Sequence, residues 1–416
     1  MKMGKKKEIV VGIDVGTTKI CSAVARSNGN GIEILGTGWA SSRGLKKGIV
    51  VNLSETIESV KASIEEAEKQ SQIEVESAYI SVGGEHIRGI NCTGQTEVRN
   101  KNKEVSREDI RRAIAHARSS EIPDGHQVIH ILTQNFEVDG QTGVEDPMGM
   151  TANELSVNLH LVVNASSIQQ NIINAVNRTG VLVKGVVMQQ LASAEAVLSQ
   201  DEKELGTVVI DIGGGTTDVA IYGQGSIWYS EVLPLGGNLI TKDIAIGLKV
   251  PLQEAERLKR KMSNVFPETV PSEELIEVTE VGTGLRRNIP RRLLCQIVQT
   301  RCDEILGLLE EIIERLGVRN NLVTGAVLTG GGSLMNGIVD RTKQVLELPI
   351  RVGYPINVVP KEHPVFHPAY STAVGLLKYS QEVQEQVIPA SPELALGAPL
   401  QTKKEKIKKW FLEKIG

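Results

Sequence analysis

The sequence predicts an α/β protein of two lobes related by duplication, carrying an inserted α+β subdomain and a C-terminal amphipathic helix. Three observations carry that expectation. Gly206 to Tyr222, GTVVIDIGGGTTDVAIY, reads as an apolar β-branched run, an acid (Asp211), three glycines, two threonines and a second alternating run: strand, tight turn, strand. Ile9 to Ile20, IVVGIDVGTTKI, repeats the pattern with Asp14, Gly16, Thr17 and Thr18. Taken singly, either stretch is also an ordinary hairpin turn between core strands. Their recurrence at the starts of two halves implies internal duplication. At 416 residues, finally, the chain exceeds one ordinary core.

The chemistry of the repeats lies in their turns. Glycine lets backbone N–H groups approach a ligand closely, successive amides form an anion nest, and threonine hydroxyls add donors. A carboxylate beside such a nest makes sense when a divalent cation sits between them. Two facing nests, each with an aspartate, would clamp a polyphosphate and its magnesium from both sides. A third piece, Ala326 to Ile338, AVLTGGGSLMNGI, reads as strand, glycine-rich turn and helix start, where backbone can lie flat against a purine and ribose.

The trio resembles the actin-like (sugar kinase, Hsp70, actin) ATPase superfamily over most of the chain. The resemblance implies ATP with Mg²⁺. Asp14, Gly16, Thr17, Thr18 and Lys19 would form the first phosphate loop, and Asp211 to Asp218, with Gly213, Gly214, Gly215, Thr216 and Thr217, the second. Gly330, Gly331 and Gly332 would line the adenosine, with Asp14 and Asp211 ordering the waters of the metal.

Composition narrows the class. Hydrophobic residues make up 40%, the net charge is −4 and aromatics are 3%, which fits a soluble globular protein and argues against stacking platforms for nucleic acid. The four cysteines, Cys21, Cys92, Cys295 and Cys302, show no metal-ligand spacing and read as reduced thiols. No apolar run is long enough for a membrane span, and none follows the N-terminal lysines as a signal peptide would require.

Taken in order, residues 1–84 read as first-lobe core. Asn52 to Lys69 is an amphipathic helix with Ile57, Val60, Ile64 and Ala67 on one face and Asn52 as cap. Residues 85–165 have different grammar: a Ser106–Asp109 capping box before a helix, then strand-like runs at Val128 to Leu132, Asn135 to Val138 and Leu155 to Val163. The scattered His116, His126, His130 and His160 read as surface or packed side chains. This stretch is expected to be an inserted subdomain used for contacts. Its phrases IRGINCTGQ, VSREDIRRAI, FEVDGQTGVEDPMGM and ELSVNLHLV resemble the subdomain peculiar to the bacterial FtsA family.

Residues 166–204 return to the first lobe. Gln189 to Leu198 resembles the superfamily's first connecting helix, and Gln189 falls where relatives place the residue that orients the attacking water; the plain alternative is a polar helix start. A glutamine cannot take the proton as a base would, so any ATP hydrolysis is expected to be slow. Residues 205–240 and 306–368 are assigned to the second-lobe core. The Gly236–Gly237 pair opens a helix near the phosphates, and by resemblance Glu256 and Lys259 reach the ribose and base. Residues 241–305 form a subdomain that turns basic at Arg286, Arg287, Arg291, Arg292 and Arg301. That run is either a solvated face or a groove whose planar guanidinium forks suit carboxylates. In the FtsA family this subdomain receives the C-terminal tail of the tubulin-like FtsZ. The segment VGTGLRRNIPRR departs from the family's pattern. Residues 369–388 close the first lobe with a second connecting helix, in which Ala373 and Gly375 permit close packing.

Residues 389–402 read as a proline-bearing linker. In 403–416, KKEKIKKWFLEKIG, Ile407, Trp410, Phe411 and Ile415 share one side of a helical wheel, with Lys406, Lys408 and Lys409 flanking them. Six lysines against two glutamates make the segment cationic, as a helix lying in an anionic headgroup layer would be. Docking on the protein's own body, or recognition as a calmodulin-type peptide, is the alternative.

The resemblance as a whole implies an ATP-binding division protein that self-assembles and anchors FtsZ filaments (the Z ring) at the cytoplasmic membrane. It also leaves room for later division proteins as partners. The rivals are a small-molecule kinase, for which no spare catalytic base announces itself, and an FtsA-like partner of pilus assembly, which should lack the cationic helix.

Overall fold

Two hairpins seed two sheets of one design. The computed structural model describes residues 9–27, 31–118, 122–360 and 363–385; the linker and the amphipathic segment at 403–416 lie outside the described residues. In the first lobe, Ile9–Val15 pairs antiparallel with Lys19–Ser27, which pairs antiparallel with Ile32–Ser41. On the other side Ile9–Val15 runs parallel to Ser77–Val82, and that strand to Leu182–Met188. The second lobe repeats this layout. Thr207–Ile212 pairs antiparallel with Thr217–Gly223, followed by Ser226–Leu233, and runs parallel to Ala326–Thr329, followed by Ile350–Val352. The duplication read from two short motifs therefore extends to five strands per lobe. In both lobes the first strand is central and, apart from half-buried Ile9, buried at its apolar positions, which explains its continuous β-branched run.

The helix Leu53–Ser71 packs on the first sheet. Asn52 caps it, accepting from the Glu55 N–H at 3.3 Å; Val60, Ile64 and Ala67 are buried while Ile57 is only half-buried. One deviation concerns the return to the first lobe. Val358–Val359 pairs with Ile32 and Glu33 at the edge of the first sheet, so the chain crosses back before residue 369, where the sequence reading placed the boundary. A two-residue strand has no periodicity to read, and its partner lies more than three hundred positions away. The boundary expected at 305 also falls inside one continuous helix, Arg291–Leu316. A single apolar core joins Ile276, Ile289, Leu294 and Ile305 to Val208 and Ile210 of the second sheet.

The insertion forms its own four-stranded sheet, in the order Ile87–Glu97, Glu154–Ala165, His126–Val138, Gln141–Val144. The helix Arg107–Arg118 covers it around Val157, Leu159, Ala113 and Ala117. Ser106 and Asp109 form the reciprocal cap, with Ser106 N–H donating to the Asp109 carboxylate at 2.9 Å and Asp109 N–H to Ser106 Oγ at 3.3 Å.

The two runs expected at 128–132 and 135–138 are one strand, and the polar interruption between them is a β-bulge at Gln134. The bulge aims Gln134 at the second lobe, where its Nε2 donates to the Ile227 carbonyl at 2.9 Å. Asn91 Nδ2 donates to the Trp228 carbonyl at 2.8 Å, and His160 Nε2 lies 2.8 Å from Ser230 Oγ. A subdomain inserted in the first lobe thus leans on the edge strand of the second.

Candidate nucleotide site

The two turns that the sequence singled out face each other. A Cβ on Gly214 would lie 1.7 Å from Thr18 Oγ1, and one on Gly215 would lie 2.7 Å from Thr17 Oγ1, so only glycine lets the loops meet. Among the described residues the N–H groups of Gly214 and Gly215 meet no protein acceptor, as an anion nest requires. The loop's carbonyls are held from behind: Gly237 N–H donates to Gly213 O at 2.9 Å and Asn238 N–H to Gly214 O at 2.8 Å. Gly236 and Gly237 therefore brace the second loop through the start of the helix Gly237–Leu248. In the first loop, Thr17 Oγ1 accepts from Gly48 N–H at 3.2 Å.

Each loop carries its acid on a buried strand end. Asp14 is 6% exposed and Asp211 7%. Ser81 Oγ donates to Asp14 Oδ1 at 2.8 Å, and Gln189 Nε2 approaches the same oxygen at 3.4 Å. Ser193 Oγ donates to Asp211 Oδ2 at 2.5 Å, with Thr372 Oγ1 at 3.4 Å. Burial raises the Asp14 carboxyl above the usual range, against the opposing pull of Lys19, Ser81 and Gln189. Burial pushes Asp211 up to about 6, and the charge of Asp14 adds to it, so the acids sense each other across the cleft. Asp218 is a third carboxylate, cross-strand partner of Asp211, buried and pushed well above its usual range by burial and then by Asp211. Its Oδ2 accepts from Thr216 Oγ1 at 3.0 Å while Oδ1 has no partner. Such crowding of acids in a dry site is relieved either by protonation or by a cation.

The third loop meets the second. Gly330, at φ +79°, would place a Cβ 2.2 Å from Asp211 Oδ1, and Gly332 one 2.3 Å from Ile212 Cγ2; Gly331 faces open space. On the other side, Glu256 and Lys259 form an ion pair at 2.7 Å, and Lys259 Nζ donates to Gly237 O at 3.0 Å and to Thr241 Oγ1 at 2.9 Å. A cavity of about 1110 Å³ starts beside Thr18 and Asn238 and runs over Thr241, Lys242, Glu256 and Arg260. Two sets of expected residues sit differently from the sequence reading. Lys19 Nζ donates to the Ala369 carbonyl and lies 3.9 Å over the Tyr370 ring rather than pointing into the loop.

The arginines stand apart from the cleft, and most of their forks are already engaged. Arg287 donates to Leu248 O at 2.7 Å, Arg291 to Met262 O and Glu274, and Arg301 to both Asp243 oxygens and to Glu304. Among the described residues Arg286, its side chain 73% exposed, holds only a 3.3 Å contact with Glu277.

Comparison with known proteins decides the family. The cell division protein FtsA of Pseudomonas aeruginosa is 37% identical over 97% of this chain and 97% of its own length. The chain belongs to the FtsA family. That of Borreliella burgdorferi is 36% identical over 98% and 99%. A family model for cell division protein FtsA matches residues 208–375, and one for the SHS2 domain inserted in FtsA matches residues 84–163. Solved structures at 14% identity share the fold of this FtsA-family chain. A PilM–PilN type IV pilus biogenesis complex has a TM-score of 0.65, covering 90% of this chain and 99% of the other; MreB5 of Spiroplasma citri bound to ADP has 0.55, covering 92% and 99%. The fold is actin-like.

Ser81, Ser193 and Thr372 complete this corner of the FtsA-family chain beside Asp218, the last residue of the second loop, and sequence reasoning named none of the three as site residues. Isolated serines and threonines carry no spacing that marks them. Asp218 was legible, because it closes the GGGTTD turn opposite Asp211.

Proposed function

We propose that this FtsA-family protein binds ATP with Mg²⁺ between its lobes, assembles into filaments, and tethers FtsZ filaments to the cytoplasmic face of the membrane at the division septum. One observation carries the nucleotide reading: twin acids on touching glycine–threonine loops, buried and unfavourably close without a cation. The residues fit the group. Gly214 and Gly215 offer N–H donors, Thr17, Thr18, Thr216 and Thr217 lie along the same turns, and Gly331 faces open space where adenosine would lie, while Gly330 and Gly332 pack the third loop on Asp211 and Ile212. Among the described residues no three acid, histidine or cysteine side chains are set to ligate a metal directly, so Asp14 and Asp211 are proposed to act through metal-bound water. The bound magnesium would neutralise phosphate charge.

Gln189 lies beside Asp14, where it can orient a water but not accept its proton, so turnover is slow at most. Nucleotide then serves to fix the angle between the lobes, and that angle sets filament competence. Residues 403–416 would supply the lipid contact, with Ile407, Trp410, Phe411 and Ile415 entering the headgroup layer beside Lys408 and Lys409. Binding by one copy is weak and by a filament strong. The support for this reading is the family, the loop geometry and the nucleotide-bound relatives of the same fold, MreB5 with ADP and with AMPPNP. Titration of a fluorescent ATP analogue into the full chain tests the core of it. Saturable binding that Asp14→Asn weakens at least about tenfold is expected, since hydrogen bonds and contacts to charged groups carry that much. Equal binding by the variant would remove the assignment.

A further inference from the structure

The helix Gln189–Val197 touches both acids at once. Gln189 and Ser193 stand four positions apart, on one face of the helix and one turn from each other. Gln189 Nε2 reaches Asp14 Oδ1 of the first lobe at 3.4 Å, and Ser193 Oγ reaches Asp211 Oδ2 of the second at 2.5 Å. Ser193 is fully buried and has one proton to give. With that proton donated to the carboxylate, its oxygen accepts from Thr372 Oγ1 at 3.0 Å, a better contact than the 3.4 Å that Thr372 makes to Asp211 directly. The result is a chain of donors, Thr372 to Ser193 to Asp211, in which each bond polarises the next. Its two hydroxyls come from the two connecting helices, which cross in contact here: a Cβ on Gly375 would lie 1.6 Å from the Ala192 carbonyl.

We propose that Ser193 is a positioning residue of the nucleotide site, whose hydroxyl holds the Asp211 carboxylate at a fixed offset from Asp14 so that both acids meet the metal's water shell together. This rests on the reading of the cleft as a site for ATP with Mg²⁺. A hydroxyl on a rigid helix is suited to the task because its reach is short and its rotamer is locked by packing. The same helix turn then senses both lobes: any change in the spacing of the acids pulls on Gln189, on Ser193 or on both.

The test separates positioning from packing. A fluorescent ATP analogue is titrated into the full chain with Mg²⁺ and, separately, with EDTA, alongside thermal melts of each variant. Ser193→Ala should lose about tenfold in affinity with Mg²⁺ while staying within about twofold in EDTA, because the lost bond acts only through Asp211 and the metal. Ser193→Thr, which keeps the hydroxyl, should retain the wild-type ratio between the two conditions. Thr372→Val, which leaves the Ser193 hydroxyl on the acid, should fall between them. An undiminished Mg²⁺ gain in Ser193→Ala, or an equal loss in both conditions, would overturn the assignment of Ser193. A wild-type chain that binds the analogue equally in Mg²⁺ and EDTA would instead overturn the metal reading beneath it.

Discussion

At the scale of single residues the cleft is organised by buried charge. Asp211 ionises at about 6 rather than at 3.8, mainly because it is buried. For a carboxyl raised in this way, the stability it contributes is full below the unfolded value and is lost as pH rises through the folded one. At ~1.36 kcal/mol per unit, roughly 3 kcal/mol should disappear from the ligand-free protein between about pH 4 and pH 6. Asp211→Asn removes that dependence. Its ligand-free melting temperature should exceed the wild-type value near neutral pH and lose most of that advantage near pH 4. A constant gap at both values would mean that Asp211 is not ionised in a dry site. Cys21 and Asp218 sit at matching places opposite the acids of the two hairpins. The first lobe therefore carries a buried thiol, pushed up to about 12, where the second carries a carboxylate.

At the scale of elements, the contact between the connecting helices decides how the lobes join. Gly375 sits directly on the Ala192 carbonyl, and Gly12 lies against Leu376 and Ala373 in the same corner. Backbone cannot yield as a flexible side-chain tip can. Gly375→Ala should therefore cost about 1–3 kcal/mol or more in urea unfolding, the range for overpacking a tight core. A midpoint unchanged by this smallest of side chains would show that the helices do not cross there. The inserted subdomain is a second joint. Its contacts with the second lobe, from Asn91, Gln134 and His160 to the strand Ser226–Leu233, mean that any change in lobe angle moves or breaks them.

At the scale of the whole molecule the proposed partners sort by where side chains are free. Of the five arginines in the basic run, Arg287, Arg291, Arg292 and Arg301 each hold a backbone carbonyl or an acid, whereas Arg286 extends into solvent with a long contact to Glu277. Arg286→Glu should weaken binding of an FtsZ tail peptide with little change in melting temperature, whereas Arg301→Glu should lower the melting temperature by setting an acid against Asp243. Peptide binding untouched by Arg286→Glu would move the tail's site elsewhere. For the lipid contact, pelleting with anionic liposomes should collapse when residues 403–416 are removed. Each lysine near such a surface contributes about 1 kcal/mol, so added salt should weaken the intact chain in the same assay. Equal pelleting with and without the segment would end the anchor reading.

The sequence by itself determined the duplicated hairpins, the acid on each, the glycine turns and the capped helices, because each depends on neighbours a few residues apart. Local spacing records strand, turn and cap chemistry directly. Only the tertiary structure decided that the loops touch, that Ser81 and Ser193 hold the acids, that Lys19 turns to Ala369, and that the arginines are mostly engaged. It also placed Val358–Val359 in the first sheet and the Gln134 bulge against the second lobe. Those facts join residues tens to hundreds of positions apart, and a lone serine or a two-residue strand has no pattern until the fold brings its partner to it.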